Sequence, residues 1–229
     1  MPDTVEQVDF IKSRGILFPD DPTIITRKRR RLLRQNTYEQ KETEAVLRNI
    51  QASDTVIELG AGMGYMSSFV AARLGVRNVH AFEANPRLIP YIKAVHAQNG
   101  LERIKVYNAV LGPRKGKAKF YVRDDFVASS LSKDAAGGVT SVESIPVMNA
   151  QKTFDEIQPT ALICDIEGAE ADLLKKIDLS CLRCAVIELH PQWIGQEGVQ
   201  AVFDAMAAGG LTYSPRASEG KVVTFLKGW

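Results

Sequence analysis

The chain has 229 residues, 45% hydrophobic and 24% charged, a balance that fits one large globular domain and excludes a disordered chain. A net charge of +2 excludes a molecule held to nucleic acid by its overall field, and no apolar run approaches the roughly 20 residues of a membrane span. Three cysteines, Cys164, Cys181 and Cys184, exclude a disulfide framework; the lone Cys181/Cys184 pair lacks the partners a structural zinc needs, so the three are read as core thiols.

The N-terminal stretch MPDTVEQVDFIKSRG carries charges where a signal peptide needs an unbroken apolar run, which points to a cytoplasmic chain. Residues 1–36 read as a basic, partly helical extension and residues 37–229 as the main domain. The run RKRRR, Arg27 to Arg31, is first of all a solvated helix face; without interleaved aromatics, nucleic acid is not an expected partner. Tyr38–Ile50 is predicted as a helix, with acidic residues early, where the helix dipole favours them. Thr55–Leu59 reads as a buried strand. Tyr65–Leu74 is helical, with Met66, Phe69, Val70 and Leu74 on one face. Val79–Glu83 is a second strand, Pro86–Asn99 a helix closed by Gly100, and Ile104–Val110 a third strand. Gly112 to Asn149 lacks a helical period; KAKFYV and SIPVM look like short strands around a long loop, and such loops are more often functional than accidental. Leu162–Asp165 and Ala185–Leu189 are strands four and five, Val199–Ala208 is a helix, and the tail reads as two strands around a Ser/Pro/Gly turn. Strand–helix alternation implies parallel strands with helices on both faces. The predicted fold is α/β: a Rossmann-like three-layer sandwich, its seven-stranded sheet mostly parallel, with an antiparallel C-terminal hairpin strand.

VIELGAGMGYM places Gly60, Gly62 and Gly64 between strand one and a helix start, where glycine lets the backbone approach a ligand and free N–H groups face it. A dinucleotide fingerprint is G-x-G-x-x-G; here the spacing is G-x-G-x-G, with Tyr65 at the last position. Glu58 lies just before the loop. Its charge would repel a pyrophosphate and welcome a cation, which favours S-adenosylmethionine, with its sulfonium and ammonium, over NAD. Glu83 ends strand two, where a carboxylate can accept both hydroxyls of a ribose; both cofactors have one. Strand four delivers Asp165 and Glu167 to the same sheet end, and strand five delivers Glu188 and His190. His190 is the first candidate base, since its ordinary pKa of about 6.5 lies near working pH, and Asp165 the second. Glu170 reads as a first-turn helix charge.

These stretches resemble the FkbM-type family of class I S-adenosylmethionine-dependent methyltransferases. The resemblance runs from about Tyr38 to Trp193, and FEANP and DIEGAE are its specific elements. It implies that Glu58, Gly60, Ala61 and Gly62 line the methionine end of the cofactor. It also implies that Glu83 and Ala84 hold the ribose, that Asn108 and Ala109 sit near the adenine, and that Asp165 faces the reactive end. His190, Asp165 and Glu188 become the catalytic candidates, and Glu167, Ser129 and Ser130 the substrate contacts under a loop spanning Phe126–Thr140. Two positions depart from the family's usual pattern: Ile163, where Lys is common, and Gly62, where Asn is common.

The expected activity is methyl transfer from S-adenosyl-L-methionine to a hydroxyl of a small molecule or sugar. The alternatives are an NAD(P)-binding oxidoreductase and a methyltransferase acting on RNA. A cation shared by Asp165, Glu167 and Glu188 is conceivable, but nothing in their spacing demands one, so no metal is expected. Oligomeric state is left open, a homodimer included.

Overall fold

A computed structural model describes residues 9–123 and 138–228. It opens on a hairpin, β1 (Phe10–Ser13) and β2 (Ile16–Pro19), turned by Arg14 and Gly15 in left-handed conformations. Helix α1 (Arg27–Arg34) is capped by Thr26, whose Oγ1 accepts the Arg29 N–H, and α2 (Gln40–Asn49) follows. The alternating body is β3 (Thr55–Leu59), α3 (Tyr65–Arg73), β4 (Asn78–Glu83), α4 (Ile89–Gln98) and β5 (Lys105–Asn108). Next come β6 (Val110–Gly112), β7 (Gly116–Arg123), β8 (Val139–Asn149) and α5 (Ala150–Ile157). The chain closes with β9 (Ala161–Cys164), α6 (Glu170–Leu174), β10 (Cys184–Glu188), α7 (Pro191–Ala208), β11 (Thr212–Tyr213) and β12 (Val222–Leu226).

Seven strands form the main sheet in the order β11-β12-β10-β9-β3-β4-β5. The five central and outer strands from β10 to β5 are parallel, and β12 runs antiparallel to both β10 and β11. The mostly parallel sheet with an antiparallel C-terminal strand is thus as the sequence implied. Successive residues alternate between two cores: Val56, Ile163 and Val186 pack with Phe18, Tyr65, Phe69 and Ile92, while Ile57, Leu162 and Ile187 pack with Phe154, Leu174, Met206 and Phe225. That period of two, on strands apolar on both sides, is what a sheet covered on both faces requires. The hairpin residues Ile11, Ile16 and Phe18 belong to the first of these cores. No described helix is long and apolar enough to cross a membrane.

Several boundaries differ from the sequence reading. The third predicted strand splits, because after Asn108 the chain leaves the main sheet: β6 pairs with β8, which pairs with β7, in a separate three-stranded sheet. KAKFYV and SIPVM are in β7 and β8. Helix α4 starts at Ile89, after a turn in which the Asn85 carbonyl accepts the Leu88 N–H. Helix α5 was not read from the sequence, although Asn149 caps it by accepting the Lys152 N–H. Helix α7 begins at Pro191, eight residues early, and is interrupted at Gly195 (φ 63°).

Candidate active site

Parallel register brings the C-terminal strand ends to one level. Leu59 pairs with Phe82 and with Cys164, Glu83 pairs with Asn108, and the Asp165 N–H donates to the Leu59 carbonyl at 2.9 Å. The chain order reverses between β3 and β9, and open α/β sheets bind ligands at such a point. A cleft lies there, walled by Gly60, Gly62, Glu83 and Ala84 on one side, by Phe82, Ala109, Leu111 and Phe120 as an apolar wall, and by Asp165 and Glu167 at the far end.

The glycine loop is held tightly. Gly60 and Ala61 N–H groups both donate to the Phe82 carbonyl, at 2.9 and 3.0 Å, and the Gly62 N–H donates to Glu83 Oε2 at 2.7 Å. Glu83 Oε1 accepts the Asn85 N–H at 2.7 Å. Each oxygen of Glu83 keeps a further lone pair for a ligand. Burial pushes this carboxyl up to about 7, against the backbone N–H groups of Asn85 and Gly62, which favour its charged form. Asn108 does not line the cleft; its Nδ2 donates to the Glu83 and Ala84 carbonyls and fixes the exit of β4. Ala61 also stands behind the wall.

Glu58 is neither an exposed strand-end charge nor part of the cleft wall. It is 2% exposed, its Oε1 accepts the Ser67 N–H at 3.1 Å, and its Oε2 has no hydrogen-bond partner. Burial pushes its carboxyl up to about 8, partly opposed by Ser67. A carboxyl raised on folding stabilises fully below its unfolded value near 4.5, and that contribution is lost as pH rises to about 8. Replacing Glu58 by Gln should therefore flatten the loss of thermal stability between pH 5.5 and 8.5, by an amount on the order of a few kcal/mol. Identical Tm slopes for the two proteins would refute this.

At the other end, Asp165, Glu167, Glu188 and His190 converge. His190 Nε2 lies 3.5 Å from Asp165 Oδ1 and 3.3 Å from Glu167 Oε2, and Glu188 offers an oxygen within 4.8 Å of the Asp165 and His190 ligand atoms. Asp165 is pushed up to about 8 by burial and by Glu188 and Glu167, with His190 opposing. Burial works against the charged form of His190, but Glu170, Glu167 and Asp165 outweigh it and raise the imidazole to about 9. Burial likewise raises Glu167, which adopts a left-handed conformation, φ 49°.

Glu170 is in the first turn of α6, as expected, but does more than complement the helix dipole. It is fully buried and acts as a clamp: Oε2 accepts the Gly168 N–H at 2.8 Å, Oε1 accepts the His190 N–H at 2.9 Å, and Oε1 also faces His190 Nδ1 at 3.4 Å. Gly168 (φ 98°) passes against Trp193, where a Cβ would come 2.8 Å from the Trp193 Cβ. Glu39 and Glu42, expected only as acidic residues favoured by the helix dipole, also act at this end. Helix α2 packs on β10 and β12, so its first turn points at the sheet's ligand end. Burial raises Glu39 well above the carboxylate range, helped by Glu42, Asp165 and Glu58. Their early position in YEQKETEAVL was the available signal.

Ile163 is a core residue packed with Val56 and Val186, which accounts for an apolar side chain there. The three cysteines are free, Cys164 and Cys184 buried and Cys181 half-buried. In and just after the basic run, Arg29 is buried, while Arg30, paired with Asp20, lines a surface groove with Arg27, Arg31 and Arg34 that shares no residue with the cleft. Ser129, Ser130 and most of the Phe126–Thr140 loop lie outside the described residues.

A sequence profile of the methyltransferase FkbM domain matches residues 58–213. A search of curated proteins finds no match. Among solved structures, TYW2 of M. jannaschii in complex with AdoMet is similar over 96% of this chain and 84% of its own, with a TM-score of 0.52 and 14% identity. A methyltransferase FkbM from Methylobacillus flagellatus is similar over 80% of this chain, but this covers only 47% of that protein, with a TM-score of 0.51 and 14% identity. Precorrin-6y C5,15-methyltransferase from Geobacter metallireducens matches over 92% and 94%, with a TM-score of 0.50 and 11% identity. At these identities the structural likeness is one of fold.

Proposed function

The chain belongs to the FkbM family of methyltransferases, and from that premise we propose that it binds S-adenosyl-L-methionine in the cleft and transfers the methyl group to a hydroxyl of a small molecule or sugar. One observation carries the cofactor reading. Glu83 ties the glycine loop to the tip of β4, and the same cleft runs from that carboxylate to Asp165. The ribose would meet Glu83 and Ala84, the adenine the wall of Phe82, Ala109 and Leu111, and the sulfonium end the acidic side near Asp165. Buried Glu58 would supply negative field from behind the loop, not a direct contact.

In the transfer, the methyl C–S bond breaks as the C–O bond forms, and the cofactor leaves as a neutral thioether. Alignment of the three atoms supplies much of the rate. The acceptor hydroxyl must also lose its proton; in the cluster of Asp165, Glu188 and His190 a carboxylate would receive it, since His190, raised to about 9, would already carry one. Glu167, half-exposed beside them, would meet the acceptor.

Replacing Glu83 by Ala should weaken S-adenosylhomocysteine binding by about ten-fold or more, since a charge-assisted hydrogen bond is worth roughly 1.5–3 kcal/mol. Calorimetry measures this, and unchanged affinity would show the ribose to be elsewhere. NADH binding in place of S-adenosylhomocysteine would overturn the cofactor assignment. The acceptor class is tested by incubating the protein with labelled cofactor and a cell extract. Label confined to RNA or protein would overturn a small-molecule acceptor.

A further inference from the structure

The geometry points to a divalent-cation site formed by Asp165, Glu188 and His190 at the acceptor end of the cleft, suited to an ion of the manganese-to-zinc class. Each residue offers one ligand atom, and the three atoms lie within 4.8 Å of one another. Metal–ligand bonds of about 2.0–2.4 Å set cis ligands about 2.8–3.4 Å apart and trans ligands about 4.0–4.8 Å apart. Within the trio, His190 Nε2 stands 3.5 Å from Asp165 Oδ1, at the upper edge of the cis range. A charge-assisted hydrogen bond would close to about 2.7–2.9 Å. The spacing is that of neighbours around an ion more than that of donor and acceptor.

A second observation is independent of the carboxylate count. His190 is 3% exposed, and the atom its Nε2 faces, the buried Asp165 Oδ1, has no hydrogen-bond partner. Buried polar atoms left unpaired call for an explanation, and a bound ion is one. Behind the ring, Glu170 faces Nδ1 at 3.4 Å while anchored by the Gly168 and His190 N–H groups. A carboxylate in that place fixes the tautomer of a metal-bound histidine and leaves the Nε2 lone pair for the ion. An imidazole ligand favours manganese, iron, cobalt or zinc over magnesium and calcium, which prefer oxygen alone.

The site departs from the expectation that no metal is needed; spacing along the chain gave no sign of it because His190 and Asp165 come from different strands. Its use rests on the methyl-transfer reading. With the ion bound, an acceptor hydroxyl on it would lose its proton more readily, and Glu167, the carboxylate left free, would take that proton in place of Asp165 and Glu188, which then serve as ligands.

The test strips the full chain with EDTA and titrates it with Mn²⁺ alone, reading free ion by electron paramagnetic resonance. One ion should bind per chain, compete with Zn²⁺, and show nitrogen modulation from a single imidazole. Glu188→Gln should weaken binding by about ten-fold or more, and His190→Gln should abolish the nitrogen signal. No bound ion at millimolar Mn²⁺ or Zn²⁺, or an affinity that both variants leave unchanged, would overturn the site. Calorimetry with S-adenosylhomocysteine on the same EDTA-treated protein separates the two readings. Cofactor binding without ion binding sinks the ion alone; ion binding without cofactor binding supports the ion and sinks the methyl-transfer reading.

Discussion

Replacing Asp165 by Asn should lower turnover by about 10²- to 10⁴-fold, the range lost with a positioned proton acceptor, and leave S-adenosylhomocysteine affinity within a few-fold. The asymmetry follows from position. Asp165 stands at the end of the cleft, beside Glu167 and His190 and away from the Glu83 end. Asn is nearly isosteric, and the side chain's Oδ1 has no hydrogen bond to lose. Burial and the neighbouring carboxylates already disfavour the charged form, so the neutral amide should not lower the Tm. Single-turnover kinetics with calorimetry on the same protein checks the result. Equal losses in turnover and cofactor affinity would move Asp165 from the chemistry to the binding of the donor.

Replacing Gly60 by Ala has the larger effect on the fold. Gly60 has φ 86°, and a Cβ there would overlap the Asp165 carbonyl oxygen and come 2.8 Å from its carbonyl carbon. Both obstacles are backbone, so either the glycine loop or the exit of β9 must move. A destabilisation of about 3 kcal/mol or more is expected, which for a chain of this size lowers Tm by about 6–12 °C. Cofactor binding should fall with it, because the displaced segments carry Gly62 and Asp165. Gly75→Ala is the control. Gly75 is also left-handed, φ 71°, but a Cβ there meets only the Ala52 Cβ at 3.9 Å. It should cost about 1 kcal/mol, the left-handed penalty alone. Equal losses in the two variants would show that the approach of Gly60 to Asp165 has no special weight.

The main sheet was legible because its strands are short apolar runs between turn signals, and the glycine loop because Gly60, Gly62 and Gly64 follow one of them directly. Helix α5 left a trace that went unread: Asn149 at the cap, then Ala150, Phe154 and Ile157 along one face. The β1–β2 hairpin has only four residues per strand, too few for a period to stand out, although the Arg14-Gly15 turn marked its centre.

The site was legible at the residues that end strands and illegible at those that act across the fold. Glu83, Asp165, Glu188 and His190 each follow a strand, so topology alone puts them at one end. Glu170 sits in the first turn of a short helix, and nothing in CDIEGAEADLL tells a solvated carboxylate from one that clamps the backbone of another strand's exit. That distinction depends on His190 arriving 20 residues later in the chain. Asn108 is expected near the adenine from the family resemblance, yet its Nδ2 is spent on the carbonyls of Glu83 and Ala84.

The raised carboxyls have a consequence for turnover as a cycle. Glu58 near 8 and Glu83 near 7 hold much of their protons at neutral pH while the cleft is empty. A donor bearing a sulfonium and an ammonium favours their charged forms, so its arrival would release protons to solvent. Once the methyl group has gone, the thioether that remains has lost one positive charge and rewards that ionisation less. Departure of the spent cofactor would then draw protons back from the medium. The buried carboxyls would act as a proton reservoir coupled to the charge state of the donor, and alkaline conditions would widen the preference for fresh cofactor over spent.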